Sequence, residues 1–129
     1  DGRCLALHAT VARGQAATIT LLEDALRRGD RLPSGRACDD AARAAIGDVD
    51  GVYQHGLGHG IGLQTHEMPS LSRGASTDPL TGPTVFSVEP GIYRADRIGI
   101  RIEDLVAVDP AARSLATLTR FPAQPLIVG

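Results

Sequence analysis

The strongest constraint on the fold comes from a short segment with glycine at every second position: Gly56, Gly58, Gly60 and Gly62. This spacing argues against a helix, because glycine has the lowest helix propensity of any residue except proline. The segment therefore reads as extended chain, in which the residues between the glycines share one face and bare backbone lies on the other. Bare backbone allows close approach by a second strand or a ligand. The shared face is predicted to carry His55, Leu57, His59, Ile61 and Leu63.

Histidine is concentrated in and just after this segment. Of the four histidines in the chain, three are His55, His59 and His66. A glycine-rich turn with incidental histidines is the alternative to a site. Imidazole binds metal ions and also exchanges protons near neutral pH. We therefore predict that the cluster marks a site that uses one or both of these properties.

Two glutamates occur in or directly after apolar stretches, where a charged side chain is unusual. Glu89 follows an apolar stretch, residues 84–88, that reads as a strand, and it precedes a Pro-Gly turn. Glu103 lies within an isoleucine-rich stretch, with Arg101 on the same face of the predicted strand. The alternatives are a solvated edge residue for Glu89 and a surface ion pair with Arg101 for Glu103. One imidazole and two carboxylates would suit a divalent ion such as Mn²⁺, Zn²⁺ or Co²⁺.

The remaining pattern predicts helices first and strands afterwards. One helix is expected from about residue 4 to 28 and a second from about 37 to 47, where Gly47 would end it. Strands are expected at three places, residues 84–88, 98–108 and 115–119, the last two forming a hairpin. Helices followed by strands give an α+β fold class, and 129 residues suit one domain.

Charge and composition exclude several classes of function. A net charge of −2 and an aromatic content of 3% leave neither the basic patch nor the stacking platform of a nucleic-acid binder. No apolar run is long enough to span a bilayer. We therefore expect a cytoplasmic protein with neither nucleic acid nor membrane as a partner. Cys4 and Cys38 are predicted to be reduced thiols, with a disulfide as the alternative.

Four motifs, in this order, carry a resemblance to a known family. They are Gly58-His59-Gly60-Ile61-Gly62, His66-Glu67-x-Pro69, Val88-Glu89-Pro90-Gly91-Ile92-Tyr93 and Gly99-Ile100-Arg101-Ile102-Glu103-Asp104. Together they resemble the catalytic half of the pita-bread metallopeptidases, in the aminopeptidase P and prolidase branch that cleaves Xaa-Pro bonds. Residues 121–128 resemble the usual C-terminal tail of that fold. The implied architecture is two helices packed on a mostly antiparallel, curved sheet.

The resemblance also implies roles for individual residues. It makes His59, Glu89 and Glu103 metal ligands, with Glu103 bridging two divalent ions. It gives His55 and His66 the task of holding substrate and stabilising the tetrahedral intermediate. Arg101 would orient Glu103, and Glu89 would also assist proton transfer. The cofactor implied is a pair of Mn²⁺ ions, with Zn²⁺ or Co²⁺ as alternatives.

One departure from the family pattern bears on activity. The family uses two further metal-binding aspartates from an upstream strand pair, and no aspartate of this sequence stands in that context. We therefore expect a single partial catalytic domain, helical over about 4–47 and strand-rich over about 52–128, with the upstream half absent and one metal or none bound. Expected partners are a proline-containing peptide and either the missing N-terminal half or a second copy. The alternatives are an inactive fragment or binding module of this fold, or a creatinase-like C–N hydrolase.

Overall fold

The protein has an α+β fold in a computed structural model that describes residues 2–95 and 98–122. Two helices come first in the chain, α1 (Gly2–Arg28) and α2 (Gly35–Ile46). Seven strands follow within the described residues: β1 (Gly58–Gly60), β2 (Glu67–Leu71), β3 (Thr84–Val88), β4 (Gly91–Arg94), β5 (Ile98–Arg101), β6 (Asp104–Asp109) and β7 (Ser114–Thr117). The predicted α+β class is confirmed. Most of the predicted C-terminal tail, residues 123–128, lies outside the described residues.

The strands form two antiparallel sheets. The larger sheet has the order β2-β1-β3-β6-β7, and β4 pairs with β5 in a separate two-stranded sheet. β6 and β7 form the predicted hairpin, in which Val108 pairs with Leu115. β2 was not predicted; it contains Pro69, which it tolerates as the edge strand of its sheet.

The two helices follow from their local sequence signals. Ser34 caps α2, where its side chain accepts a hydrogen bond from the Ala37 amide. Gly47 ends α2 with a positive φ of 72°. Gly14 of α1 faces Ile46 of α2, so the two helices pack closely. Among residues 2–95 and 98–122, no helix is both long enough and apolar enough to cross a membrane.

Two clusters of buried side chains join these layers. The larger cluster contains residues from both helices and from β2, β3 and β6, with Phe86 of β3 fully buried. The smaller cluster packs Leu7 and Val11 of α1 against Ile46 and against Ile92 of β4. The end of β3 is therefore anchored to both helices, and this strand leads directly into Glu89. Gln15 of α1 strengthens this anchor by donating a hydrogen bond to the Val88 carbonyl at 3.2 Å.

Residues 98–108, predicted as one strand, form two strands that belong to different sheets. β5 ends at Arg101 and pairs with β4, whereas β6 begins at Asp104 and pairs with β3. Between them the Ile102 amide donates to the Pro90 carbonyl at 3.3 Å, outside either ladder. The prediction of one continuous strand was therefore wrong, because the chain crosses here from the small sheet to the large one.

The glycine-rich segment is extended over a shorter length than predicted. Only Gly58–Gly60 forms a strand, and the register of its pairing with β2 shifts between His59 and Gly60. Leu57 is completely buried, whereas Leu63 is fully exposed. The prediction that these residues share one face was wrong, because the irregularity turns the chain and ends the alternation.

The close approach allowed by the glycines is confirmed. A Cβ placed on Gly58 would lie 1.8 Å from the Ser87 carbonyl oxygen, and one on Gly60 would lie 2.0 Å from the Met68 carbonyl oxygen. β1 runs between β2 and β3, so both obstructing atoms belong to the backbone of neighbouring strands. Backbone held in a strand ladder cannot yield as a flexible side chain would.

We predict that Gly58→Ala lowers the free energy of unfolding by at least about 3 kcal/mol, the upper end of the usual range for overpacking. Urea denaturation followed by circular dichroism measures this change. Gly74→Ala is the matched control, since no atom lies within 4 Å of a Cβ at that position; its stability should change by less than about 0.5 kcal/mol. Equal effects of the two substitutions would contradict the close-packing argument.

The two cysteines are free thiols with different environments. Cys4 is partly exposed on α1, and Cys38 is fully buried in the larger core cluster. Burial, with a smaller contribution from the neighbouring Asp39 carboxylate, raises the pKa of Cys38 to about 12. Because the thiolate is the reactive form, Cys38 should be inert in the folded protein.

A thiol-reactive chromogenic disulfide at pH 8 is therefore expected to modify one thiol rapidly and the second only after denaturation. The Cys4→Ser variant should lose the rapid phase, while Cys38→Ser should retain it. Rapid modification of both thiols in the native protein would show that the core around Cys38 opens readily.

Candidate active site

A cleft of about 950 Å³ contains most of the chemistry-bearing residues identified in the sequence. It lies beside β1 and β2, where strands, turns and the end of β3 converge. Six of its lining side chains carry ionisable or imidazole groups: His55, His59, His66, Glu67, Glu89 and Arg101. The structure therefore brings all three clustered histidines to one cavity, although they lie on different local elements.

His59 and Glu89 form the centre of the site. The Nε2 atom of His59 lies 3.2 Å from Oε1 of Glu89, and both side chains are largely buried. The Nδ1 atom of His59 lies 3.0 Å from the Gly60 carbonyl oxygen. A carbonyl oxygen only accepts hydrogen bonds, so Nδ1 carries the proton and the lone pair of neutral His59 is on Nε2. In the neutral ring two acceptor atoms then face each other, whereas a proton on Nε2 makes the contact an ion pair with Glu89; a metal cation bound by both atoms would take the place of that proton.

Ser87 fixes both members of this pair. Its hydroxyl donates to Oε1 of Glu89 at 2.8 Å and accepts from the His59 amide at 3.1 Å. Ser87 is completely buried on β3. The Glu89 amide in turn donates to the Leu57 carbonyl at 2.7 Å. These contacts hold the imidazole and the carboxylate at a defined separation, whichever cation lies between them.

Arg101 lies between the two predicted carboxylate ligands. Its Nη2 atom is 3.3 Å from Oε2 of Glu103, and its Nε atom is 3.9 Å from Oε2 of Glu89. The ion pair with Glu103, considered from the sequence as an alternative to a metal site, is therefore present. Glu103 is 41% exposed at its side chain, whereas Glu89 is 13% exposed. Glu103 thus lies at the rim and reaches the centre of the site through Arg101.

His55 has both ring nitrogens engaged. Nδ1 lies 2.7 Å from the Gly56 carbonyl oxygen, and Nε2 lies 2.7 Å from the hydroxyl of Tyr93. By the same donor argument, Nδ1 is protonated and Nε2 of the neutral ring accepts from Tyr93. A Cβ on Gly91 would lie 2.6 Å from that hydroxyl and 3.0 Å from Nε2. The Pro-Gly turn after Glu89 therefore leaves the space in which this pair forms.

Tyr93 was missed as a site residue by sequence reasoning. It lies on β4, and it belongs to the same quoted motif as Glu89 and Gly91. Its position as the last residue of that motif was the signal that could have identified it. Its partnership with His55 across 38 residues could not be read from spacing.

His66 lies on an exposed turn that leads into β2. Its ring centroid is 4.3 Å from that of His59, in an edge-on arrangement. The turn is closed by Glu67, whose Oε1 accepts from the Gln64 amide at 2.7 Å. His66 is therefore solvent-accessible beside the buried imidazole, a position from which it can donate a hydrogen bond to a ligand in the cleft.

The proposed ligand set is only partly assembled by this chain. His59 and Glu89 meet, but within residues 2–95 and 98–122 no three His, Cys, Asp or Glu side chains are arranged to hold a metal ion together. The roles predicted for His55, His59, His66, Glu89, Arg101 and Glu103 therefore stay predictions. What the geometry establishes is their proximity, with Glu103 at its edge.

Comparison with known protein families gives one clear match. Residues 4–110 match the model of Metallopeptidase family M24. The matched range includes α1 from residue 4 onward, all of α2, the first six strands and every residue of the candidate site.

Individual relatives agree with this match over most of the chain. A putative dipeptidase, YkvY of Bacillus subtilis, is 34% identical over 123 residues, which are 95% of this chain and 32% of the relative. The X-Pro aminopeptidase of Thermotoga maritima aligns over 96% of this chain and 33% of its own, with a TM-score of 0.81 and 31% identity. The X-prolyl aminopeptidase of Caenorhabditis elegans, described as "a cytosolic enzyme with a di-nuclear active site", aligns over 78% and 16%, with a TM-score of 0.59 and 28% identity. This chain spans a third or less of each of these proteins.

The Ser87 contacts yield a testable expectation. Ser87→Ala removes the acceptor of the part-buried His59 amide and the donor to Glu89, so the free energy of unfolding should fall by about 1–3 kcal/mol. Thermal and urea denaturation measure this change. Ser114→Ala, on the exposed strand β7, serves as the control and should be nearly neutral. A neutral Ser87→Ala would show that the His59 amide finds another partner.

Proposed function

Because this chain belongs to Metallopeptidase family M24, we propose that it forms part of a metal-dependent enzyme that hydrolyses the peptide bond preceding proline. The observation that carries the proposal is the close approach of two metal-binding atoms, Nε2 of His59 and Oε1 of Glu89, held 3.2 Å apart in a large cleft. The Xaa-Pro specificity is supported by the names of the relatives, which include X-Pro aminopeptidases and an Xaa-Pro dipeptidase.

The donor set suits a divalent metal ion. His59 and Glu89 would hold it, with Glu103 as the third ligand from this chain. One imidazole and two carboxylates are a mixed set that hard-to-borderline ions accept, and we propose Mn²⁺ first, with Zn²⁺ or Co²⁺ as alternatives. The description of the nematode relative supports extending two further properties, two metal ions and a cytosolic location, to this protein as parts of the proposal. When bound, such ions polarise the scissile carbonyl and lower the pKa of a bound water.

The chain's own residues would then position substrate and transfer protons. His66, exposed beside His59, would donate a hydrogen bond to the oxygen that gains negative charge during attack. Glu89, fixed by Ser87, would receive a proton at its carboxylate from the attacking water and deliver it to the leaving nitrogen as the C–N bond breaks. Arg101 would restrain the Glu103 carboxylate at the rim. His55 would act through Tyr93, whose hydroxyl it orients.

The first test is metal binding by the complete gene product that contains this chain. Titration calorimetry with Mn²⁺ should show that His59→Gln weakens binding by at least about tenfold, since loss even of a residue that only supports a ligand costs that much. His66→Gln should leave the affinity close to that of the unchanged protein. His8→Gln, on α1, is the control for loss of an imidazole outside the cleft. If His66→Gln abolished binding and His59→Gln did not, the assignment of ligands would be wrong.

The second test is turnover of dipeptides by the same protein with Mn²⁺. The ratio kcat/KM for Ala-Pro should exceed that for Ala-Ala by at least about tenfold, a discrimination that one shaped pocket readily supplies. Glu89→Gln should abolish hydrolysis of both. Equal hydrolysis of the two substrates would indicate a peptidase without proline specificity. Tight peptide binding with no hydrolysis would favour the alternative of a binding module.

A further inference from the structure

An arginine on α2 lies behind the segment that carries His55. The Arg43 side chain is 15% exposed, and it forms a two-point ion pair with Asp39, one turn earlier on the same helix, at 2.7 and 3.3 Å. Asp39 is completely buried. The negative charge of a buried aspartate must be paired with a positive charge, and Arg43 provides it.

The guanidinium also binds the backbone on either side of Gln54. Nη1 of Arg43 donates to the Tyr53 carbonyl and Nη2 donates to the His55 carbonyl, each at 2.8 Å. Residues 53–57 belong to no strand, so these carbonyls have no ladder partner. Arg43 therefore supplies to this irregular segment the two donors that a neighbouring strand would otherwise provide.

A line of ring contacts continues from Arg43 into the site. The guanidinium carbon lies 3.9 Å from the Tyr53 ring centroid, and the Tyr53 and His55 centroids are 5.3 Å apart. The His55 and Tyr93 centroids are 5.4 Å apart, and their polar atoms are hydrogen bonded. Both the backbone and the ring of His55 are thus held from the direction of α2.

We propose that the Arg43–Asp39 pair is the positioning device for His55, which fixes the single tautomer that orients the Tyr93 hydroxyl. The inference rests on the proposed function for its catalytic consequence, but its structural part stands by itself. Asp39 fixes the orientation of the Arg43 guanidinium through two hydrogen bonds, and the planar guanidinium donates to two backbone carbonyls at once. Lysine could offer the charge but not this geometry.

The experiment compares folded variants by two readouts. Asp39→Leu combined with Arg43→Met removes both charges together, so that neither is left buried alone. Arg43→Lys keeps a charge beside Asp39 and provides a second variant if the double one fails to fold. Arg36→Met is the control, an exposed arginine on the same helix. Circular dichroism establishes that each variant is folded.

The first readout is the His55 imidazole in long-range ¹H–¹⁵N spectra of the 129-residue chain, assigned with a His55→Gln variant. The unchanged chain and Arg36→Met should show one neutral tautomer with Nδ1 protonated. The double variant and Arg43→Lys should show nitrogen shifts averaged between the two tautomers. A single unchanged tautomer in a folded double variant, or in Arg43→Lys if the double variant does not fold, would overturn the proposal.

The second readout is turnover of Ala-Pro by the complete gene product. Here kcat should fall about 10–100-fold in the double variant, the usual cost of misplacing a reacting group, while Mn²⁺ affinity stays unchanged. Unchanged kcat with an averaged tautomer would overturn the catalytic part of the inference. Absence of Ala-Pro hydrolysis in the unchanged protein would refute the proposed function instead, and the tautomer measurement would still test the positioning of His55.

Discussion

The packing of β1 between two neighbouring backbones is the constraint on which the rest of the site depends. No side chain fits at Gly58 or Gly60, because carbonyl oxygens of β3 and β2 occupy those positions. The only side chain of this strand is that of His59, and it lines the cleft. The glycines thus bring the imidazole close to the strand that leads into Glu89. A larger residue at Gly58 or Gly60 would displace β1 from its neighbouring strands and so move His59 away from Glu89.

The contact between His59 and Glu89 determines which charge the site favours. Nε2 of His59 lies 3.2 Å from the Glu89 carboxylate, and Ser87 holds Glu89 in place by donating its hydroxyl proton to it. An imidazole nitrogen beside a buried carboxylate needs a cation between them, either a proton on Nε2 or a metal ion. The paired backbones of β1 and β3 hold the two groups together, so this place in the fold favours positive charge. Arg101 lies 3.9 Å from Glu89 and supplies part of that charge from the rim.

Much of this arrangement could be predicted from local sequence, and the failures have a common cause. The helices, β3 and the β6–β7 hairpin follow from caps, apolar runs and turns, which act over a few residues. The prediction of one strand over residues 98–108 was wrong. The chain crosses between the sheets where it hydrogen bonds the Pro90 carbonyl, which is distant in sequence. The prediction that Leu57 and Leu63 share one face was wrong, because the alternation of residue types does not reveal the shift in strand register at His59. The contact of His55 with Tyr93 was missed because it joins an irregular segment to β4 across 38 residues of sequence.

The two histidines of the glycine-rich segment are held by different parts of the fold. His59 is fixed by the sheet, through Ser87 and the backbone of β1. His55, only four residues earlier, belongs to no strand; its backbone is fixed by Arg43 of α2, and its ring bonds Tyr93 of β4. Gly56 and Leu57 connect these two supports, and Leu57 is locked into the core by complete burial. Movement of α2 relative to the sheet would therefore change the distance between the two imidazoles, whereas movement within the sheet would change the His59–Glu89 pair. The geometry of the site is thus set by the packing of helix on sheet, and the buried core between them determines how precisely its two halves meet.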